Sequence, residues 1–104
     1  MIIHTYVGTD AIDYLEESLL PQWRDDIKKA EEEKDARWLA DLQEDVRRME
    51  KALSTMHKYK DCELEITDLE TYLNLMETLN EAVAEIEGRL YINSDGTDLS
   101  IWVN

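Results

Sequence analysis

The segment Leu39–Met56, LADLQEDVRRMEKALSTM, decides the fold of this chain. Its apolar residues recur with the spacing of one stripe along an α-helix, and they are Leu39, Leu42, Val46, Met49, Leu53 and Met56. Neither glycine nor proline occurs between Gln22 and Glu87, which favours long helices on both sides of this stripe. We therefore predict a helix from about residue 23 to about residue 59. The sequence leaves open whether this helix continues through the polar run at residues 31–35.

A second long helix is predicted after a short alternating segment. Residues 62–66 alternate between apolar and acidic side chains, which is typical of a strand or of an extended link. Residues 67–70 match a capping box, and a helix follows to Glu87 with Gly88 as its C-terminal stop. The apolar stripe of this helix has the same spacing as the first one, so we expect the two helices to pack as an antiparallel pair.

The two ends of the chain predict a small sheet. Residues 2–7 have the pattern of a strand, and a short helix follows that Pro21 should end or kink. Residues 89–93 and 99–103 predict a hairpin with Asp95 and Gly96 at its turn. The prediction is one α+β domain over residues 1–104: an antiparallel long-helix pair with a short N-terminal helix, plus a small antiparallel sheet from the N-terminal strand and the C-terminal hairpin.

The charge of the chain restricts what it can bind. The chain has 25 Asp+Glu against 11 Lys+Arg, a net charge of −14 at pH 7, and beyond residue 60 its one base is Arg89. This balance argues against direct nucleic-acid binding and against docking on anionic membranes, since both need clustered bases. No apolar run approaches the length of about 20 residues that a membrane span needs. Cys62 has no second cysteine to pair with, and no signal peptide is evident, so we expect a cytoplasmic protein.

The acidic residues after position 60 are the candidate site for a basic protein partner. Four of them fall on one stripe of the second helix, opposite its apolar stripe: Glu70, Glu77, Glu81 and Glu85. Five more would have to lie on the same side to complete one acidic surface: Glu63, Glu65, Asp68, Asp95 and Asp98. Such a surface would mimic a nucleic acid and block the basic nucleic-acid-binding site of a host protein. The alternative is a solvated helix face.

Size and charge make this chain similar to small acidic phage and mobile-element inhibitors, including anti-CRISPR proteins, although no motif carries the analogy. Trp38 and Trp102 are candidate interface anchors, with core filling as the alternative. The stripe from Leu39 to Met56 is a candidate surface for self-association into a homodimer. A homo-oligomeric helical scaffold or adaptor without inhibitory role is therefore the alternative function.

The sequence predicts no catalytic residue, no cofactor and no metal. His4, His57 and Cys62 are too few and too scattered for a zinc site. Residues 93–98 have the start of a calcium loop but lack the glutamate that completes it. Acid pairs such as Glu32 and Asp35, which a magnesium-dependent nucleotide hydrolase would use, alternate with lysines and arginines. We therefore predict a binding protein and not an enzyme.

Overall fold

The computed structural model describes residues 1–96 and 98–104. In chain order the elements are β1 (Ile2–Val7), α1 (Thr9–Tyr14), a π-helical turn (Leu15–Leu19), α2 (Leu20–Glu32), α3 (Ala36–Lys58), β2 (Asp61–Glu65), α4 (Leu69–Glu85), β3 (Leu90–Asp95) and β4 (Asp98–Val103). The predicted α+β class is confirmed, with a short N-terminal helix, long helices and a sheet that joins the N-terminal strand to the C-terminal hairpin. The segment at 62–66, which the sequence left open, belongs to strand β2 over most of its length.

The polar run at residues 31–35 breaks the predicted helix of residues 23–59 into α2 and α3. Lys34 adopts the left-handed conformation with φ 56°. The amide of Asp35 donates to the carbonyl of Ala30 at 3.0 Å, which closes the last turn of α2. The Asp35 carboxylate then accepts from the amide of Trp38 at 3.1 Å and so caps α3. The two helices fold back on each other, and Arg24 reaches Glu50 at 3.1 Å across them.

Pro21 does not end the N-terminal helix. The chain stays helical from Thr9 to Glu32 because the turn before the proline widens into a π-helical turn. In that turn the amide of Leu20 donates to the carbonyl of Leu15, five residues back. Pro21 lies in the first turn of α2, where its missing N–H is tolerated.

The sheet has the strand order β2-β1-β4-β3 and is mixed, so the prediction of a purely antiparallel sheet is wrong. Strand β1 pairs antiparallel with β2 but parallel with β4. The reason is that a single helix, α4, connects β2 to β3. This helix returns the chain to the end of the sheet at which β2 begins, so β3 runs parallel to β2. The hairpin partner of β3 then has to run parallel to β1.

The helices pack on one face of this sheet, which we call the inner face. Its side chains include Ile3, Thr5 and Val7 of β1 and Ile101 and Val103 of β4, all of them buried. Leu75 and Leu79 of α4 cluster with Ile3 and Ile101, whereas Val7 and Val103 cluster with residues of α3 and of the π-helical turn. The other face of the sheet, which we call the open face, carries the alternate side chains of each strand.

The stripe from Leu39 to Met56 is occupied within the chain. Four of its members are buried and two are half-buried; the buried ones are Leu42, Met49, Leu53 and Met56. Met49, Leu53 and Met56 pack in one cluster with Leu15, Leu20 and Val83. The predicted use of the stripe for self-association is therefore corrected: the chain's own helices cover it.

Within residues 1–96 and 98–104, no helix is long and apolar enough to cross a membrane.

Helix α4 ends at Glu85, whereas the sequence predicted a helix to Glu87 with Gly88 as its C-terminal stop. The left-handed residue is Glu87, with φ 55°, and the amide of Gly88 closes the last turn by donating to the carbonyl of Val83 at 2.9 Å. Gly88 serves a close approach instead: a Cβ at this position would lie 2.8 Å from the backbone oxygen of Asn104. Backbone hydrogen bonds between Arg89 and Asn104 then start the β3–β4 ladder.

Candidate functional site

The open face of the sheet carries a row of side chains that crosses all four strands. Tyr6 pairs with Asp61 on β2 and with Trp102 on β4, and Trp102 pairs with Tyr91 on β3. Directly paired residues share a face of the sheet, so the four side chains lie side by side. Trp102 is 50% exposed and Tyr91 is 51% exposed. Large aromatic side chains of this exposure on a flat face are typical of a binding surface.

The aromatic side chains of this row form a shallow recess. The rings of Tyr6 and Trp102 stack with their centroids 4.4 Å apart and an interplanar angle of 23°. His4, two residues earlier on β1, stacks with Tyr6 at a distance of 6.5 Å between ring centroids. A recess of about 450 Å³ lies against this end of the row, lined by Tyr6, Val7, Gly8, Tyr91, Trp102, Val103 and Asn104. The stack with Tyr6 covers one face of the Trp102 ring and leaves half of the residue exposed.

Acidic side chains border the row on one side. Strand β2 forms an edge of the sheet, and its exposed residues are Asp61, Glu63 and Glu65. Glu63 pairs with His4 and Glu65 pairs with Ile2, which places both acids on the open face. We refer to the row from Asp61 to Tyr91 together with Glu63 and Glu65 as the open-face site.

The C-terminal hairpin adds Asp98 to the same face. Asp98 alternates in phase with Trp102 along β4 and is half-buried. Asp95 pairs with Asp98 through the backbone, but its side chain lies outside the described residues. Residues 93–95 complete β3 and Asp98 begins β4, so the segment that resembles a calcium loop in sequence belongs to the two hairpin strands.

The acidic stripe of α4 lies on the opposite side of the molecule. Leu75 and Leu79 turn the inner side of this helix toward the sheet, so Glu70 and Glu77 are exposed on its outer side. The structure therefore divides the predicted acidic surface. Glu63, Glu65 and Asp98 lie on the open face, and the glutamates of α4 lie on the far side of the helical layer. Helical periodicity cannot show this division, because it depends on which face of the sheet the helix covers.

Glu81 and Glu85 share their surroundings with basic side chains. They line a groove of about 380 Å³ between α3 and α4 together with Arg47, Arg48 and Lys51. The acids of α4 have no basic neighbours in the sequence, but α3 supplies such neighbours in space. This groove is therefore close to electrically balanced, unlike the edge formed by β2.

The two arginines of the groove also pair with an acid of their own helix. Arg47 Nη2 donates to Glu44 Oε1 at 2.6 Å, and Arg48 Nε donates to the same oxygen at 3.1 Å. The hydrogen bond from Arg47, together with the charges of both arginines, lowers the pKa of Glu44 to about 2. The same contact raises the pKa of the Arg47 guanidinium. Glu44 therefore stays ionised over the whole physiological pH range.

The two predicted tryptophan anchors have different surroundings. Trp38 is half-buried in the first turn of α3, next to the corner between α2 and α3. Trp102 is the one that lies on the same face of the sheet as Glu63, Glu65 and Asp98 of the predicted site. The sequence interpretation missed Asp61, Tyr6 and Tyr91. The alternation along each strand predicts which face of the sheet these side chains occupy, but the sequence does not show which strands are neighbours.

Of the three candidate metal ligands, His4 lies on the open face beside Tyr6, whereas Cys62 and His57 lie apart from this site. Cys62 pairs with Thr5 and is half-buried on the inner face, and His57 contacts the carboxylate of Glu16. Within residues 1–96 and 98–104, no group of three or more His, Cys, Asp and Glu side chains is arranged to hold a metal ion. Comparison with protein-family models, curated proteins and solved structures found no significant match to this chain.

Proposed function

We propose that this chain is a non-enzymatic inhibitor that docks its open-face site onto the basic, nucleic-acid-binding surface of a partner protein and blocks it. One observation carries the proposal: the exposed Trp102 shares the open face of the sheet with Asp61, Glu63 and Glu65, which lie two strands away on β2. A central aromatic anchor with a polar rim is the usual anatomy of a protein interface. Here the described rim on β2 is acidic, which selects a basic partner.

Charge supports the same partner class. A net charge of −14 attracts a basic protein over long range, and this attraction weakens as salt screens it. Acidic residues two apart on β2 are spaced by about 6.7 Å, close to the axial rise of two nucleotides along one DNA strand. The edge formed by β2 therefore resembles a short run of phosphates. An anti-CRISPR-like inhibitor of a host nuclease, acting in the cytoplasm, is the concrete form of this proposal.

The proposal is tested by charge reversal on the two sides of the molecule. The probe is a short fluorescent peptide of lysines and arginines, and its affinity is measured at about 50 mM and about 200 mM salt. The double variant Glu63→Lys/Glu65→Lys should weaken binding strongly. Its matched control, Glu70→Lys/Glu77→Lys, changes the net charge equally on the far side and should weaken binding much less. Equal losses in the two variants would contradict a site on the open face.

Blocking needs a separate measurement. A protein captured from host lysate through the wild-type chain should also bind a labelled DNA or RNA, and the wild-type chain should displace that nucleic acid. The Glu63→Lys/Glu65→Lys variant should not displace it. A captured protein that holds the inhibitor and the nucleic acid at the same time would contradict the blocking function.

The alternative function, a homo-oligomeric helical scaffold or adaptor, would need a surface other than the stripe of α3. Leu69 and Leu73 on α4 are exposed by 71% and 54%, and they are the apolar residues that such an assembly would use. Sedimentation distinguishes the two functions. A dimer that Leu73→Asp dissociates would favour the scaffold, whereas a monomer would leave the inhibitor as the proposed function.

A further inference from the structure

We infer that the recess beside Trp102 and Tyr91 receives an arginine side chain of the basic partner. The inference rests on the proposed function and adds a residue-level prediction to it. The open-face site would then bind by two different means: the acids of β2 attract any positive charge, whereas the aromatic recess selects one type of basic side chain.

The shape of the recess fits a flat cationic group. Tyr6 and Trp102 stack with 23° between their ring planes, so each ring covers one face of the other, and the half of Trp102 that stays exposed is available to a ligand in the recess. Tyr91 continues the row on the next strand and is half exposed. A guanidinium is planar and stacks on aromatic faces, whereas the ammonium of lysine is a compact and strongly hydrated point charge. The recess therefore discriminates between arginine and lysine.

The charge beside the recess fits the same group. Asp61 is the direct strand partner of Tyr6, and neighbouring strands are about 4.8 Å apart. Tyr6 also lines the recess, so a guanidinium against its Tyr6 side would lie one strand away from the exposed Asp61 carboxylate, with Glu63 one pleat further along β2. Carboxylates accept two parallel hydrogen bonds from arginine, a geometry that lysine does not offer. A nucleobase would also stack here, but its phosphates would approach the acids of β2.

Two short peptides of equal charge and length test the inference: one contains lysine as its only base, and the other has a single lysine replaced by arginine. Cation–π contacts correspond to differences of about 2- to 30-fold in affinity, depending on their exposure to solvent. We expect the arginine peptide to bind tighter by a factor in this range. Trp102→Ala should remove the difference, and Trp102→Phe should keep most of it.

Controls separate the recess from general effects on the protein. Tyr14→Ala removes a tyrosine that is 61% exposed on α1, away from the open face, and should change neither affinity. If Trp102→Ala loses the circular dichroism signal of the folded protein, Tyr91→Ala serves as a second variant that removes an aromatic side chain from the recess. Both variants of the recess should weaken the binding of the arginine peptide more than the binding of the lysine peptide.

The outcomes distinguish the inference from the proposed function. If the two peptides bind equally, and both lose affinity in Glu63→Lys/Glu65→Lys, the arginine recess is wrong and the acidic docking function stands. If neither peptide binds, both are wrong. If a single-stranded oligonucleotide binds the recess tighter than the arginine peptide, the recess is a base-stacking site and the inference is overturned.

Discussion

Replacing Thr5 by valine should make this protein more stable. Thr5 lies in the middle of β1, between Cys62 of β2 and Ile101 of β4, and is 0% exposed. Its hydroxyl oxygen has no hydrogen-bond partner among the described residues. A buried hydroxyl without a partner loses its contact with water and receives nothing in return. Threonine and valine have nearly the same shape, so the substitution removes this cost without disturbing the packing.

The expected magnitude follows from the burial of the side chain. An unsatisfied buried polar group costs about 1–3 kcal/mol. We therefore expect Thr5→Val to raise the free energy of unfolding by about 1–3 kcal/mol. Urea unfolding followed by circular dichroism measures this change, and at a slope of about 2 kcal/mol per molar the midpoint should rise by about 0.5–1.5 M.

The control is Thr67→Val at an exposed position, which should change the stability by less than about 0.5 kcal/mol. Thr5→Ser keeps the hydroxyl but removes a buried methyl group, so it should lower the midpoint. A Thr5→Val protein that is no more stable than the wild type would refute the reasoning. That result would mean that the hydroxyl is satisfied, for example by a bound water, and that the inner face is not dry at this point.

Three further substitutions test other parts of the fold by the same urea assay. Lys34→Gly relieves the left-handed backbone at the α2–α3 corner and should stabilise by about 0.5–1 kcal/mol, whereas a loss of stability would refute that geometry. Asp68→Ala removes the N-cap of α4. The Asp68 carboxylate accepts a hydrogen bond from the amide of Thr71, which lowers the pKa of Asp68 below its ordinary value of 3.8. The cap therefore stabilises the protein above pH 3.8, and its contribution disappears as the pH falls further. The variant should therefore have a lower free energy of unfolding than the wild type at pH 7, and the two values should become equal in acid. Leu79→Ala empties a fully buried position between α4 and the sheet and should destabilise by about 2–5 kcal/mol; a loss below about 1 kcal/mol would contradict this packing.

Most of the secondary structure was predictable because local patterns determine it. The apolar stripes of α3 and α4 repeat with helical spacing, and β1 and the hairpin alternate as strands do. The break at Lys34 was not predictable, because a run of charged residues is compatible with a solvated helix as well as with a corner. The π-helical turn before Pro21 was missed for a similar reason: the usual rule for proline places a break where the chain instead widens one turn.

The candidate site was predictable only in part. Charge counts along the chain correctly indicated an excess of acids after residue 60. They could not show that Glu63 and Glu77 lie on opposite sides, since this depends on the face of the sheet that α4 covers. They also could not show that Arg47 and Arg48 lie beside Glu81. The row from Asp61 to Tyr91 requires the order of four strands, and two of its three strand contacts join segments that are distant in the sequence.

The central claim is that the open face, and not the outer side of α4, binds a basic partner. Nuclear magnetic resonance tests it most directly, by titrating the isotope-labelled chain with the arginine-containing peptide and following the backbone amides and the indole of Trp102. We predict that the largest shift changes occur at Tyr6, Glu63 and Trp102, with little change at Glu70 and Glu77. Changes concentrated on the two α4 residues, with the Trp102 indole unmoved, would contradict the claim.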